Sequence, residues 1–441
     1  MSSHAASARL KAALSPVLRL RHTHLGKNTA WSAAGLFARM AIQALYFIII
    51  ARKLGVQNYG AFVGVVAIAN FFSPFTAWGS HSIMIKKVAR DRSAFPAYFG
   101  VSLATTVVSG FILVAISALL TILVFSRSIS IWIPLMICVS DLLLARFVDI
   151  AAAAFQAFER LRAVAFLQAL ATGTRLVAAI VLLLFFRTPA SAMTWAVLYA
   201  ASSAVCGAIA LALVRRRLGW GTFSLKLMKG NFREGFYFAV SWAAQGAYND
   251  IDKTLVGRMD SLAAAGFYAA AYRIEDAAYA PVRALLVASY ARFFREGARG
   301  IRGSLGFGRR LLPWALAYSI VAGVALYLLS PLLPWVFGPG YQETASALRW
   351  IALLPFLRAI SYLAASVLTG ADRQAVRSRF QIGIAVFNFV LNLILIPRFG
   401  WVAAAWTSLA SDGLCAVCLW GAVALLVSRA PAGPSTEPAA S

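Results

Sequence analysis

The chain is poor in the residues that metal centres and disulfide frameworks need: its 441 positions hold four cysteines and four histidines. Cys138, Cys206, Cys415 and Cys418 all lie in apolar stretches, and Cys415-x-x-Cys418 has no companion ligand, so they read as small apolar residues. His22 and His24 stand isolated. Neither a metal nor a cofactor is expected. Acidic residues are scarce too, 15 against 41 lysines and arginines, for a formal charge of +26. Residues 1–28 are basic and only weakly apolar, with no continuous apolar core before Ala30. That argues against a cleavable signal peptide and for an interfacial or disordered basic segment.

What the chain has is apolar length. Hydrophobic residues make up 61% of it, against ~45–50% in soluble domains. The pattern predicts an all-α polytopic membrane protein with about twelve transmembrane helices. They fall at roughly 30–50, 60–80, 97–125, 131–152, 163–186, 193–214, 236–256, 262–290, 311–337, 346–369, 378–397 and 401–427, each near or above the ~20 residues a bilayer needs. The positive charge follows the connections, which speaks against nucleic acid as a partner. One alternating set of connections and tails holds 27 of the 41 basic residues, including Arg160, Arg162, Arg215, Arg216, Arg217 and Arg373. The opposite set holds six: Arg52, Lys53, Arg127, Arg187, Arg258 and Arg398. The positive-inside rule then places both termini in the cytoplasm.

Composition and an internal repeat divide the chain into a basic segment 1–28, a first lobe 29–214, a cytoplasmic linker 215–232, a second lobe 233–428 and a disordered tail 429–441. A shift of 206 lays Arg52 on Arg258, Gly60 on Gly266, Phe62 on Tyr268 and Asn70 on Asp276. The same shift brings Gln43 to Asn249 and Arg39 to Gln245. Six spans per lobe give both lobes one orientation, related by an axis along the membrane normal.

The charges inside spans are the candidate functional residues. Each costs roughly 2.5–3.5 kcal/mol near the bilayer centre, so each must face protein or water and find a partner. Trp242, Gln245, Asn249 and Asp252 recur at helical steps, and so do Arg273, Asp276, Ala280 and Arg283. Two polar stripes follow. They line a solvated path, unless Asp250 with Lys253 and Arg273 with Asp276 merely neutralise one another one turn apart. Arg39 lies about ten residues, or ~15 Å, from either end of the first span, too deep for its side chain to reach the interface. Asn70 and Arg175 also lie within spans, Arg146 stands one turn from Asp149 in the fourth span, and Pro74 is expected to kink the second span. Asn388 and Asn392 read as bonding a neighbouring helix.

RKLGVQNYGAFV after the first span, DIDKTLVGRMDSLAAAGFYAAAYRI after the seventh and NFVLNLILIPRFGWVAAAWTSLASD before the last resemble the Wzx-type polysaccharide flippases of the multidrug/oligosaccharidyl-lipid/polysaccharide exporter superfamily. The resemblance covers nearly the whole chain. It implies two six-helix lobes around a cavity lined by spans 1, 2, 7 and 8, in a bacterial inner membrane. It also implies alternating access and export of undecaprenyl-pyrophosphate-linked oligosaccharide to the periplasmic leaflet, for O-antigen, capsule or exopolysaccharide synthesis. Membrane lipids and polysaccharide polymerase machinery are the further partners. Peptidoglycan-precursor flippases of the superfamily usually have fourteen spans, so twelve argues against that branch.

On that reading Arg39, Gln43, Asn70, Arg146, Arg175, Trp242, Gln245, Asn249, Tyr272, Arg273 and Arg283 contact substrate, the arginines as forks for phosphate. Asp250, Asp252 and Asp276 are candidates for binding a coupling H⁺ or Na⁺. The first rival, a multidrug/cation exporter of the same fold, should have a net acidic cavity. The second, a glycan polymerase or glycosyltransferase, needs an extramembrane domain. No non-cytoplasmic connection here exceeds about ten residues, below the ~12–15 at which loops usually begin to carry structure of their own.

Overall fold

The computed structural model describes residues 24–88, 91–125, 130–224, 227, 250–338 and 340–429, with side chains except at 24–41, 86, 161, 287–288 and 290–291. In hydrocarbon every backbone polar group needs an internal partner, and among the described residues the chain meets that need with helices and no strand. The first half comprises α1 (His24–Thr76), α2 (Ser80–Val88), α3 (Phe95–Phe125), α4 (Trp132–Val139), α5 (Ala145–Ala157), α6 (Leu161–Phe185) and α7 (Ala192–Arg217). The second comprises α8 (Leu262–Gly297), α9 (Ile301–Leu329), α10 (Leu333–Phe337), α11 (Gln342–Ile351), α12 (Leu354–Gly370), α13 (Gln374–Phe399) and α14 (Trp401–Arg429). Residues 250–259 are helical and precede α8.

Among the described residues, eight helical stretches are long and apolar enough to cross a membrane, and one of them, Ile42–Ile85, runs from the end of the first expected span through the whole of the second. The fourth and eighth expected spans are helical but too charged to qualify. The fourth carries Asp141, Arg146 and Asp149, while α8 runs for 36 residues with Arg273, Glu275, Asp276 and Arg283 inside it. Most of the seventh expected span lies outside the described residues. This is an all-α polytopic membrane protein.

The helices depart from expectation at a few places. RKLGVQNYGAF, read as a loop, stays helical except at Gly55, whose φ of 70° and ψ of 167° turn the chain at a conformation that L side chains rarely adopt. The fourth span is not one regular helix, because Ser140–Leu144 form a π-helical turn between α4 and α5. The tenth breaks after Ile351 and starts again with Pro355 in the first turn, where its missing N–H needs no partner, and so becomes α11 and α12. Pro74 stands in the last turn of α1, where the helix ends at Thr76.

Helices α1–α7 pack on one another, as do α8–α14, and the two sets meet mainly through α1 and α8. At the meeting point a Cβ on Gly60 would overlap the Leu262 carbonyl oxygen, and one on Gly266 the Val56 carbonyl oxygen. The 206-residue shift exchanges these two contacts, since it carries Val56 to Leu262 as it carries Gly60 to Gly266. Aromatic rings extend the contact. Phe47 packs edge-on against Tyr59 (5.3 Å between centroids) and Phe337 (5.9 Å), and the Tyr341 hydroxyl donates to the Ala51 carbonyl at 3.0 Å. One apolar core therefore joins the halves at this end, together with the connections that hold Arg52, Lys53 and Arg258. At the opposite, strongly basic end the described residues form separate cores, one around Phe95, Phe99 and Phe155, the other around Phe293, Phe307 and Leu363.

Candidate functional site

Below the glycine crossing, one stripe of α8 faces open space between the halves. Arg273, Ala277 and Arg283 are exposed and Asp276 and Ala280 half-buried, while Ala264–Tyr272 above them are all buried. Seven residues, or ~10 Å of helix, separate Gly266 from Arg273. The Arg273 guanidinium sits 5.9 Å from the Phe47 ring centroid and within electrostatic reach of Tyr46 and Tyr59, all on α1, so the stripe looks toward the first half. Among the described residues no carboxylate lies within ion-pair distance of Arg273. The sequence pairing of Arg273 with Asp276 is thereby corrected. Asp276 turns instead to Arg283 at 3.3 Å and to Arg358 of α12 at 3.4 Å, the latter offering a partner from a second helix.

A second polar group joins residues 250–259 to both halves. The Lys253 ammonium lies 2.7 Å from Asp250 and 3.8 Å from Asp252, which is the expected one-turn pair with an added partner. Asn70 on α1 donates to Asp250 at 3.3 Å, so this network bridges the halves. Asp252 does not line the path as its stripe implied. It is buried and accepts from the Lys253 backbone N–H at 2.8 Å, with the Tyr268 hydroxyl 3.0 Å from its other oxygen. Tyr272 is likewise buried rather than presented to a cargo. Its ring lies between two cations, 4.8 Å from Lys253 and 5.8 Å from the Arg358 guanidinium, linking this network to the next.

The third group is the densest. Arg358 donates to Glu275 at 2.6 Å and Asp276 at 3.4 Å from the same Nη1, and from Nε to Asp412 of α14 at 3.4 Å. The Glu275 side chain is fully buried, whereas those of Asp276 and Arg283 are 40% and 58% exposed. The sequence showed these charges singly. Arg358 and Glu275 were not read as one site, because the residues that assemble it come from three helices far apart in the chain.

In the first half, Asp141 sits in the π-helical turn, whose extra residue swings it toward α6 and α7. Its Oδ1 accepts from Arg175 at 3.2 Å and from the Tyr199 hydroxyl at 2.8 Å. Arg146 pairs with Asp149 at 2.9 Å and donates to the Asp141 carbonyl at 3.0 Å. Arg146 and Arg175 are thus held by carboxylates of their own half. Gln43 is exposed on α1, near Phe47. The Arg39 side chain lies outside the described side chains, and Trp242, Gln245 and Asn249 lie outside the described residues. Asn388 donates to Ser411 of α14 at 3.0 Å, the interhelical bond its sequence position implied, whereas Asn392 donates to Asn388 of its own helix at 3.0 Å.

Comparison with known proteins agrees with this architecture. Residues 25–290 match the family model described as "Polysaccharide biosynthesis protein". A protein of Escherichia coli (strain K12) named "Putative O-antigen transporter" is 22% identical over 400 residues, 88% of this chain and 94% of that one. An uncharacterized membrane protein of Methanocaldococcus jannaschii is 22% identical over 202 residues, and there the match spans 37% of the relative's length and 42% of this chain. Among solved structures, an inward-facing multidrug resistance MATE family transporter of the MOP superfamily superposes with a TM-score of 0.71 at 14% identity, over 89% of this chain and 96% of that one. The lipid II flippase MurJ in an inward closed conformation gives 0.71 at 11% identity, over 89% and 87%. An outward-facing MATE structure gives 0.55 at 14% identity, over 90% and 95%. The matched segment takes in all of α1–α7 and most of α8, the two helices through which the halves meet included, and so the chain belongs to the polysaccharide biosynthesis protein family and has the fold of the MOP superfamily.

Proposed function

We propose that the protein is a flippase for a lipid-linked polysaccharide precursor, an undecaprenyl-pyrophosphate-linked oligosaccharide, which it carries from the cytoplasmic to the periplasmic leaflet by alternating access. The observation that carries this reading is Arg273, an exposed guanidinium on the inter-half stripe with no carboxylate partner among the described residues. A fork of N–H donors in a partly desolvated setting is matched to a pyrophosphate, and a cationic drug would be repelled by it. The family match and the E. coli relative's name support the same class of cargo. By the positive-inside rule the basic end is cytoplasmic. The halves are joined at the other end, so the described conformation opens toward the cytoplasm, where such a precursor is made. The coupling ion is H⁺ or Na⁺, and the polymerase machinery receives the product.

The test is complementation of cells that lack the protein, with the leaflet position of the lipid-linked sugar as the readout. Arg273→Ala, inserted at normal abundance, should leave the sugar on the cytoplasmic leaflet, and Arg273→Lys should restore export only in part, because an ammonium lacks the bidentate fork. Normal export by Arg273→Ala would overturn the assignment. So would efflux of a fluorescent cation by the purified protein in vesicles.

A further inference from the structure

Glu275 lies deep in the second half with a side chain of 0% exposure, and only one of its two oxygens is bonded. Oε2 takes the 2.6 Å bond from Arg358, whereas Oε1 is buried with no hydrogen-bond partner among the described residues. One turn further along α8 the Tyr279 hydroxyl is likewise buried without a hydrogen-bond partner among the described residues. Among the described residues, the charged groups that face Glu275 are Arg358 from α12, Asp412 from α14, and Asp276 and Arg283 from its own helix, with Tyr279 beside it and Tyr362 of α12 packed on Tyr279. Three carboxylates therefore crowd around Arg358, and Glu275, whose side chain is fully buried, keeps one oxygen unbonded among the described residues. A buried anion left half-solvated is costly, and the smallest group that relieves it is a proton. A metal cation would have to sit beside the guanidinium already held on Oε2 and would be repelled by it.

From this geometry we infer that Glu275 is a proton-binding site, with Oε1 as the accepting atom and the Arg358 contact as the element that its protonation loosens. The proton reaches it from the open side. Asp276, 40% exposed on the inter-half stripe, shares the same Arg358 Nη1 with Glu275. Binding adds one proton to Oε1 and neutralises the carboxylate. Arg358 then remains with Asp276 and Asp412, and the grip of α12 on α8 weakens at its shortest contact. The use of this proton to drive export rests on the flippase reading, but its binding does not.

The experiment is done on the purified full chain in lipid vesicles without cargo, by infrared spectroscopy across a pH series. The wild type should show the carbonyl band of a protonated carboxylic acid that titrates, lost in Glu275→Gln and kept in Asp276→Asn. No such band at any pH where the protein stays folded, or its persistence in Glu275→Gln, would overturn the site. Should Glu275→Gln fail to fold, Glu275→Asp decides: the band must remain with a changed midpoint, and a midpoint identical to the wild type's assigns it elsewhere and overturns the inference. Coupling is read separately, from the distance between spin labels at Arg160 and Arg373, in the basic-end turns of the two halves. That distance should change with pH in the wild type and lose the dependence in Glu275→Gln. Wild-type dependence in Glu275→Gln would overturn the coupling, as would a distance that follows Na⁺ at fixed pH with no carboxyl band.

Discussion

Arg358 reaches Glu275, Asp276 and Asp412 at 2.6, 3.4 and 3.4 Å, so one side chain ties together carboxylates from two helices. Arg358→Ala should cost about 3–5 kcal/mol, the usual consequence of stripping a buried carboxylate of its partner. Pairing it with Glu275→Gln should return part of that loss, since the two changes act on one contact and are not additive. Thermal unfolding in detergent measures both, and equal melting points for the single and double variants would show that the contact is not limiting. Asp252 calls for the opposite outcome from the one its stripe implied. With Tyr268 and the Lys253 N–H on its oxygens, Asp252→Asn should lower stability and leave the ion dependence of transport intact, a separation that gradient-driven transport assays resolve. At this scale the sequence disclosed which helices carry charge and which α8 positions share a face, because both follow from spacing within one helix. It did not disclose partners. Asp276 was in reach of Arg273 one turn away and went to Arg358 instead, a choice made by the packing of α12 on α8, about which periodicity carries no information.

Gly60 and Gly266 let α1 and α8 approach until backbone meets backbone, each glycine lying against a carbonyl of the other helix. Because the obstacle to a Cβ is main chain rather than a pliable side-chain tip, Gly60→Ala should force the crossing apart at a cost of about 1–3 kcal/mol. A substitution that penalises only this conformation shifts the balance by roughly 5–150-fold toward the one in which the crossing is open. Gly266→Ala should act alike, since the two contacts are exchanged by the 206-residue shift. Disulfide trapping between cysteines placed at Arg52 and Arg258 checks this, and undiminished trapping in both variants would remove the crossing from any role in closure. The shift that pairs these glycines was legible in the sequence as an alignment of motifs, though not as a contact. The π-helical turn at Ser140–Leu144 left no trace there, because it keeps the apolar composition of the span around it and alters only where Asp141 points.

For the whole molecule, the basic connections and the nearly neutral ones lie at opposite ends of the helices, and the core is continuous only at the latter. A reporter that needs an oxidising compartment should therefore stay inactive when fused after Arg217 and become active when inserted at Arg187. Activity after Arg217 would invert the molecule and with it the direction of opening. The architecture was readable because a bilayer admits so few backbone solutions, and apolar length is the one property a chain cannot hide. The site between the halves was not, because it exists only once two distant sets of helices are set side by side. The closed end has one more consequence, electrical rather than mechanical. A membrane at work holds a voltage, and each elementary charge that slips across 100 mV dissipates about 2.3 kcal/mol. Close-packed backbone at Gly60 and Gly266, backed by the rings of Phe47, Tyr59, Phe337 and Tyr341, surrounds such a charge with a largely apolar layer in which it is costly to place. The seal is thus an insulator, and a cell carrying a pried-open crossing would register it first as leakage current.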